Sequence, residues 1–205
     1  RDHTFGAVGL GGIARKTVEL LSGFGMNPPI AFDPYVEPQT AAGVGVQLVA
    51  LEHLMAEADF VSVHCPLTDS TRNLIGTEQI GLMKPSAFLL NTARGGIVDE
   101  DALFEALKTG RIGGAALDCF VSEPVRTPHR FGQLDNVLLA PHCIGWTQEL
   151  FRDVGRAVCQ GMVDLARGKV PRGVINPEVL ERAGFQEKWK RLQVGADCVR
   201  NKDGE

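Results

Sequence analysis

The chain has 205 residues, of which 44% are apolar and 22% charged, a composition typical of a folded globular protein with length for one full core and part of a second unit. Its net charge of -4 argues against nucleic acid or an anionic membrane as a partner, because either would require a basic face. No apolar run approaches the length of a membrane span and no signal-peptide pattern opens the chain, so we expect a cytoplasmic protein.

The cysteines predict neither a disulfide framework nor a metal site. There are five, an odd number, widely spaced and without a C-x-x-C pair: Cys65, Cys119, Cys143, Cys159 and Cys198. The chain opens on Arg1 instead of a methionine, and its first apolar segment follows within a few residues. We therefore expect it to be a piece of a longer protein.

Apolar segments of strand length alternate with segments of helical periodicity along the first two thirds of the chain. The predicted strands cover 5–10, 29–33, 46–49, 60–64, 87–91, 114–117 and 137–139. The predicted helices cover 13–23, 51–58, a segment that Thr77 caps and that runs through Met83, and a segment that Asp99 caps and that ends at 108–110. This alternation predicts an α/β fold with a doubly wound parallel sheet of the Rossmann type.

A long amphipathic helix is predicted after Thr147, ending at Gly168, because apolar residues recur there at helical spacing. The polar remainder, 169–205, is predicted to contain no complete element. Trp146 has two open interpretations, a wall of a pocket or an anchor for the start of this helix.

The segment from Gly9 to Ala14 has the dinucleotide-binding pattern G-x-G-x-x-[G/A] between a strand and a helix. Gly9 allows the tight turn, and Gly11 lets the backbone approach a pyrophosphate, which the N-terminus of the helix attracts. Asp33 stands at the tip of the next strand, where a carboxylate binds ribose hydroxyls and repels a 2′-phosphate. The pattern therefore predicts NAD as the cofactor, in preference to NADP.

Three polar residues follow later strands: Arg94, Glu123 and His142. Singly, each is equally compatible with a solvated or turn residue. Together they suit a dehydrogenase, because His142 can transfer a proton near neutral pH, Glu123 can orient it, and Arg94 can hold a carboxylate by two-point contact.

An ordered set of motifs resembles the D-isomer-specific 2-hydroxyacid dehydrogenases, the group that includes D-3-phosphoglycerate dehydrogenase. The motifs are VGLGGI (8–13), DPY (33–35), VHCPLT (63–68), NTARGGIVD (91–99), GAALD (114–118), SEP (122–124) and PH (141–142). The resemblance runs from about residue 5 to residue 177. It implies hydride transfer between NAD and a D-2-hydroxy acid or 2-keto acid, an oxidoreductase acting on the CH–OH group of a donor.

The resemblance also implies roles for individual residues. Arg94 would bind the substrate's carboxylate and keto oxygen, His142 would be the proton donor or acceptor, and Glu123 its partner. Asp118 would contact the nicotinamide carboxamide. The residues expected to bind the cofactor are Gly9, Gly11, Gly12, Ile13, Asp33, Cys65, Pro66, Thr92, Ala93, Arg94, Asp118, His142 and Gly145; no metal is expected.

The family begins with a substrate-binding domain of about a hundred residues, and nothing here precedes the cofactor-domain strand. We therefore expect a NAD-binding domain over 1–145 and, over 146–205, a return segment of that other domain. The fragment is expected to be poorly active, the longer parent a homodimer, and the substrate is not identified. Two alternatives are an NAD(H)-sensing protein of the corepressor type and a stand-alone NAD-binding domain that acts with a separate chain.

Overall fold

The computed structural model describes residues 1–125 and 128–200, and only the backbone of residues 192–200. The chain forms two compact units, Arg1–Ile144 and, from Gly145 onward, a smaller second unit.

The first unit is built on a seven-stranded sheet in which every pair of neighbouring strands is parallel. The strands are β1 (Phe5–Val8), β2 (Ile30–Phe32), β3 (Gln47–Leu48), β4 (Phe60–Val63), β5 (Phe88–Asn91), β6 (Gly114–Leu117) and β7 (Val137–Leu139). Their spatial order is β3-β2-β1-β4-β5-β6-β7. This is the doubly wound Rossmann-like sheet that the alternation of elements predicted.

Five helices connect these strands: α1 (Gly12–Leu21), α2 (Pro38–Ala42), α3 (Leu51–Glu57), α4 (Thr77–Leu82) and α5 (Glu100–Lys108). Asp99 caps α5 as predicted, because its carboxylate accepts hydrogen bonds from the backbone N–H groups of Asp101 and Ala102. The prediction that Thr77 caps α4 was wrong: Thr77 is the first helical residue, and the N-cap is Gly76. The five-residue helix α2 was not predicted, because it is too short to show a period.

Two apolar cores lie against the sheet. The smaller core contains Phe5, Ala7 and Ala14 with neighbours from β2 and α2, and the larger one packs side chains of α3, α4 and α5 against β4, β5 and β6. Strand β5 lies inside the sheet between β4 and β6, but Phe88 is 44% exposed and stacks on Phe60 with ring centroids 5.8 Å apart. One face of this part of the sheet is therefore only partly covered.

The order of the strands reverses at β1, which pairs with β2 on one side and with β4 on the other. Connections that leave β1 and β4 run to opposite faces of such a sheet and open a crevice at the carboxyl ends of these strands. The glycine pattern follows β1, so the topology places it at this crevice.

The second unit consists of α6 (Gln148–Ala166), a short 3-10 turn (Pro177–Glu181) and α7 (Ala183–Arg200). Helix α6 follows Thr147 as predicted, and Thr147 caps it by accepting a hydrogen bond from the N–H of Leu150 at 3.1 Å. The prediction of no element after Gly168 was wrong, because α7 fills 183–200; residues 201–205 lie outside the described residues.

Helix α7 is polar and shows little periodicity, so its sequence pattern does not predict a helix. Its contacts with α6 are visible only in the structure. The indole N–H of Trp189 donates to the backbone oxygen of Leu165 at 2.8 Å, and the Trp189 ring lies 5.4 Å from that of Phe185. At the other end of α6, Trp146 packs edge-on against Phe151 at 6.1 Å, the contact expected of a helix-start anchor. Among the described helices, none has the length and apolarity to cross a bilayer.

Candidate active site

The turn after β1 requires a glycine at its first position. Gly9 has φ +96°, and a Cβ atom there would lie 2.7 Å from the backbone nitrogen of Cys65. The Gly9 N–H donates to the Phe32 oxygen at 2.8 Å, so the turn is hydrogen-bonded to the end of β2 and lies close to the residue after His64. A side chain at this position would have to separate the loops that follow β1 and β4.

The start of α1 faces open space. A Cβ atom at Gly11 or Gly12 would meet no protein atom within 4 Å, and no side chain caps the helix. Free N–H groups at a helix N-terminus with room in front of them form a binding site for an anion. Ala14 is fully buried and lets α1 pack closely on the sheet. These residues fit the pyrophosphate of a dinucleotide.

Asp33 lies directly after β2 and is hydrogen-bonded through both carboxylate oxygens. One oxygen accepts from the Leu10 N–H at 2.8 Å and the other from the Tyr35 N–H at 2.9 Å. Asp33 therefore links the glycine turn to the end of β2, in addition to the ribose contact predicted for it.

A cleft of about 270 Å³ occupies the crevice between the ends of β1, β2 and β4. Five residues predicted to bind the cofactor line it: Gly9, Gly11, Asp33, Cys65 and Pro66. Tyr35 and His64 also line it and were missed, although His64 directly follows a strand end, which was the available signal. Burial lowers the pKa of His64, which is therefore neutral at physiological pH. Burial, reinforced by the Asp33 charge, raises the pKa of the Cys65 thiol.

The Arg94 loop follows β5 and is held by one buried side chain. Asn91 accepts a hydrogen bond from the Ala93 N–H at 3.2 Å and donates from its amide to the Arg94 oxygen at 3.0 Å. Arg94 itself is exposed and donates to the Ala93 oxygen at 2.6 Å. No carboxylate of the described residues lies within the 4.0 Å that defines an ion pair with it. Its guanidinium is thus available to a ligand.

Glu123 and His142 are brought together although 19 residues separate them. His142 Nδ1 lies 2.7 Å from Glu123 Oε2, and Glu123 Oε1 accepts from the Phe120 N–H at 2.9 Å. Burial acts to raise the pKa of Glu123, but the hydrogen bonds from His142 and Phe120 and the charge of Arg94 outweigh it, and the net pKa lies below its usual value. The ionised carboxylate only accepts, so Nδ1 donates and Nε2 is left for proton exchange.

Asp118 is almost completely buried and fixes the backbone just after His142. Its carboxylate accepts from the Cys143 N–H at 2.8 Å and from the Ile144 N–H at 3.2 Å. His142 has φ +57°, a conformation that a non-glycine residue keeps only when its surroundings enforce it. The contact between Asp118 and the nicotinamide carboxamide stays a prediction.

The remaining predicted cofactor residues occupy different positions. Ile13 is 74% exposed at the start of α1, and Thr92 is exposed beside Ala93. Gly145 belongs to the second unit.

Burial, with the charges of Glu123 and Asp118, raises the pKa of Cys119 to about 12, so this thiol is no nucleophile. Within the described part of the chain, no cluster of His, Cys, Asp and Glu side chains is suited to a metal ion.

A family model described as "D-isomer specific 2-hydroxyacid dehydrogenase, NAD binding domain" matches residues 1–143. The chain belongs to this family. The resemblance drawn from its motifs is thereby confirmed, and the first unit corresponds to the NAD-binding domain of a D-2-hydroxyacid dehydrogenase.

Similar proteins are dehydrogenases and reductases. The chain is 43% identical over 174 residues to D-3-phosphoglycerate dehydrogenase of Methanocaldococcus jannaschii, covering 84% of this chain and 33% of that protein. It is 40% identical over 186 residues to glyoxylate reductase of Korarchaeum cryptofilum, covering 90% and 56%. The chain thus spans between a third and just over half of these relatives.

A solved structure of similar fold is the D-isomer specific 2-hydroxyacid dehydrogenase from Lactobacillus delbrueckii ssp. bulgaricus in its NAD complexed form. It has a TM-score of 0.76 and 32% identity, and the match covers 85% of this chain and 56% of that one. None of these three proteins is a corepressor.

Proposed function

We propose that the chain is the NAD-binding part of an oxidoreductase that transfers a hydride between NAD and a D-2-hydroxy acid or the corresponding 2-keto acid. The observation that carries this proposal is the 2.7 Å hydrogen bond between His142 and Glu123, next to an arginine that has no carboxylate partner among the described residues. An acid–base pair and a free guanidinium are the groups that oxidation of an alcohol next to a carboxylate requires.

The residues divide the work as follows. Arg94 binds the carboxylate of the acid, and His142 Nε2 accepts the proton of the C2 hydroxyl as the C2–H bond gives up its hydride. Glu123 stabilises the imidazolium that forms, through its bond to Nδ1. In the reverse direction His142 returns the proton to the keto oxygen.

The glycine turn, the N-terminus of α1 and Asp33 would hold the dinucleotide, with Asp33 favouring NAD. When bound, NAD supplies the nicotinamide ring that takes up or delivers the hydride.

The proposal is tested in the longer enzyme that contains this chain. Arg94→Lys should lower kcat/KM for a 2-keto acid on the order of a hundredfold and change the affinity for NADH by less than about twofold, because a point charge does not reproduce the planar two-donor contact. His142→Ala should lower kcat and remove one limb of its pH profile.

The matched control is Arg167→Lys, an exposed arginine of the second unit, which should change neither quantity. A pH limb that persisted in His142→Ala would eliminate His142 as the acid–base group. If Arg94→Lys lowered the affinity for NADH as much as it lowered kcat/KM for the 2-keto acid, Arg94 would be assigned to the cofactor instead of the substrate.

The proposal extends to the rest of the molecule. Helix α6 has no buried residue and exposes the apolar side chains of Val154, Val158 and Met162, which supports assigning 146–205 to a segment that packs on further protein. We infer a homodimer for the longer enzyme. Light scattering at micromolar concentration tests this, and a monomeric mass would contradict it.

A further inference from the structure

The carboxylate of Glu123 depends on the turn that carries it. Its Oε1 accepts the Phe120 N–H at 2.9 Å, so the position of Oε2 opposite His142 is set by the backbone at 120–123. Whatever fixes this turn therefore fixes the acid–base pair.

The next N–H of the same turn is held from outside. The Val121 N–H donates to Oε1 of Glu100, the first residue of α5, at 2.6 Å. The Glu100 side chain is mostly buried, at 19% exposure, and its carboxylate makes this a charge-assisted bond.

The other side of the Phe120–Val121 peptide contacts the Arg94 loop. A Cβ atom at Gly95 would lie 2.0 Å from both the carbonyl carbon and the oxygen of Phe120, and 2.5 Å from the Val121 nitrogen. The peptide is thus packed directly against the residue after Arg94, and a shift of the turn would move Glu123 relative to Arg94.

The side chain of Glu100 is itself held by an ion pair. Its Oε2 lies 3.8 Å from Nη2 of Arg130, which also pairs with Asp101. The Arg130 guanidinium lies 5.4 Å from the ring centroid of Phe104. The carboxylate that meets Val121 is therefore not a freely rotating surface group.

We propose that Glu100 is a positioning residue: by accepting the Val121 N–H it fixes the Phe120–Val121 peptide against Gly95, and so holds the Glu123–His142 pair in register with Arg94. The expected effect of Glu100 on turnover rests on the proposed function. The expected effect on the turn is independent of that function and is measured on the 205-residue chain itself.

The test compares four variants by amide hydrogen exchange and by NMR titration of the Glu123 carboxyl. Glu100→Gln keeps the length and the acceptor oxygen but loses the charge, whereas Glu100→Asp keeps the charge at the start of α5 but is one methylene too short. Glu100→Ala removes both. Glu105→Ala, at an exposed position of the same helix, is the control.

We expect exchange of the Val121 amide about tenfold faster or more in the Asp and Ala variants, as for loss of one charge-assisted hydrogen bond. The pKa of Glu123 should rise toward its ordinary value in these two variants. Glu100→Gln, which keeps the acceptor oxygen without the charge, should lie between these variants and the wild type, and the control should behave as the wild type. Unchanged exchange in both Asp and Ala, or loss in Gln with retention in Asp, would overturn the proposal.

In the longer enzyme, Glu100→Asp should lower kcat while leaving the KM for NADH unchanged, and Glu100→Gln should retain more of kcat than Glu100→Asp. Altered exchange together with unaltered kcat would contradict the positioning role. Absence of any turnover in the wild-type enzyme would instead contradict the proposed function and leave the exchange result to decide the role of Glu100.

Discussion

Asp33 has structural tasks besides any contact with a ribose. Its two oxygens accept the N–H groups of Leu10, in the glycine turn, and of Tyr35, just after β2. An arginine at this position would offer a partner to a 2′-phosphate, but it would leave both N–H groups without their acceptor. Cofactor preference and the shape of the glycine turn are therefore coupled at this residue.

Asp33→Asn removes the charge but keeps one of the two acceptor oxygens, so it should disturb the glycine turn less than an arginine does. We expect NADH affinity to fall on the order of tenfold, with no fall in NADPH affinity, since the repulsion of a 2′-phosphate is removed. Asp33→Arg should favour NADPH further while lowering stability. Fluorescence titration measures the affinities, with the exposed Asp135→Asn as control. Equal NADH affinity in wild type and Asp33→Asn would rule out the ribose contact.

At the scale of elements, the three residues assigned to chemistry follow the consecutive strands β5, β6 and β7. Adjacent parallel strands place their carboxyl ends at one edge of the sheet, which is how residues at 94, 123 and 142 come together. Strand type and order thus convert a separation along the chain into proximity.

Signals confined to a few residues were readable in the sequence. The cap at Asp99, the glycine turn and the acid at the tip of β2 each depend on neighbours a short distance along the chain. Glu100 was not recognisable in this way, because its partner Val121 is 21 residues away and donates a backbone N–H, which carries no sequence signal. Helix α7 was not predicted for a related reason, since the indole N–H of its Trp189 donates to a backbone oxygen 24 residues away.

Asp59 joins the start of β1 to the segment before β5. It accepts the Thr4 N–H at 2.7 Å and pairs with Lys84 at 3.1 Å. Burial acts to raise the pKa of Asp59, but these two partners outweigh it and the net pKa lies below its usual value. A carboxyl whose pKa is lower in the folded state stabilises the fold above its unfolded pKa, which is about 4, and this contribution is lost as the pH falls through the lower, folded pKa.

Asp59→Asn should therefore lower the free energy of unfolding by about 1–2 kcal/mol at pH 7. The difference from wild type should shrink as the pH is lowered from about 4 toward 2, where both carry an uncharged side chain. Urea unfolding followed by circular dichroism measures it, with the exposed Asp69→Asn as control. A difference that stayed constant across this range would contradict the assignment of the effect to the charge.

Across the whole first unit, the two tasks of the site have separate structural origins. The ends of β1, β2 and β4 form the cleft, whereas the ends of β5, β6 and β7 lead to Arg94, Glu123 and His142, the groups that we propose act on the substrate. The cleft is lined on several sides by the described residues. The His142–Glu123 pair, by contrast, is partly exposed to solvent, with side-chain exposures of 44% for His142 and 32% for Glu123.

This difference predicts that the 205-residue chain binds NADH but reduces 2-keto acids slowly. The exposed pair neither excludes water nor encloses a substrate, and orientation and desolvation together are worth on the order of 7–11 kcal/mol of a barrier. NADH fluorescence titration measures the binding, and a reduction assay with a panel of 2-keto acids measures the turnover. Turnover at rates ordinary for an enzyme would contradict the need for further enclosure, and undetectable NADH binding would contradict a complete cofactor site.

Strand β7 has three residues and forms one edge of the described sheet, with Leu138 76% exposed and β6 as its paired neighbour. Edge strands open by local fluctuation at a lower free-energy cost than central ones. Local unfolding that begins there reaches His142 first, and the Asp118 bonds to the next two N–H groups are the tether against it. The cleft lies at the central strands β1 and β4. Mild heating or low urea should therefore separate His142 from Glu123, the pair that we propose exchanges the proton, before it disturbs the glycine turn after the central strand β1.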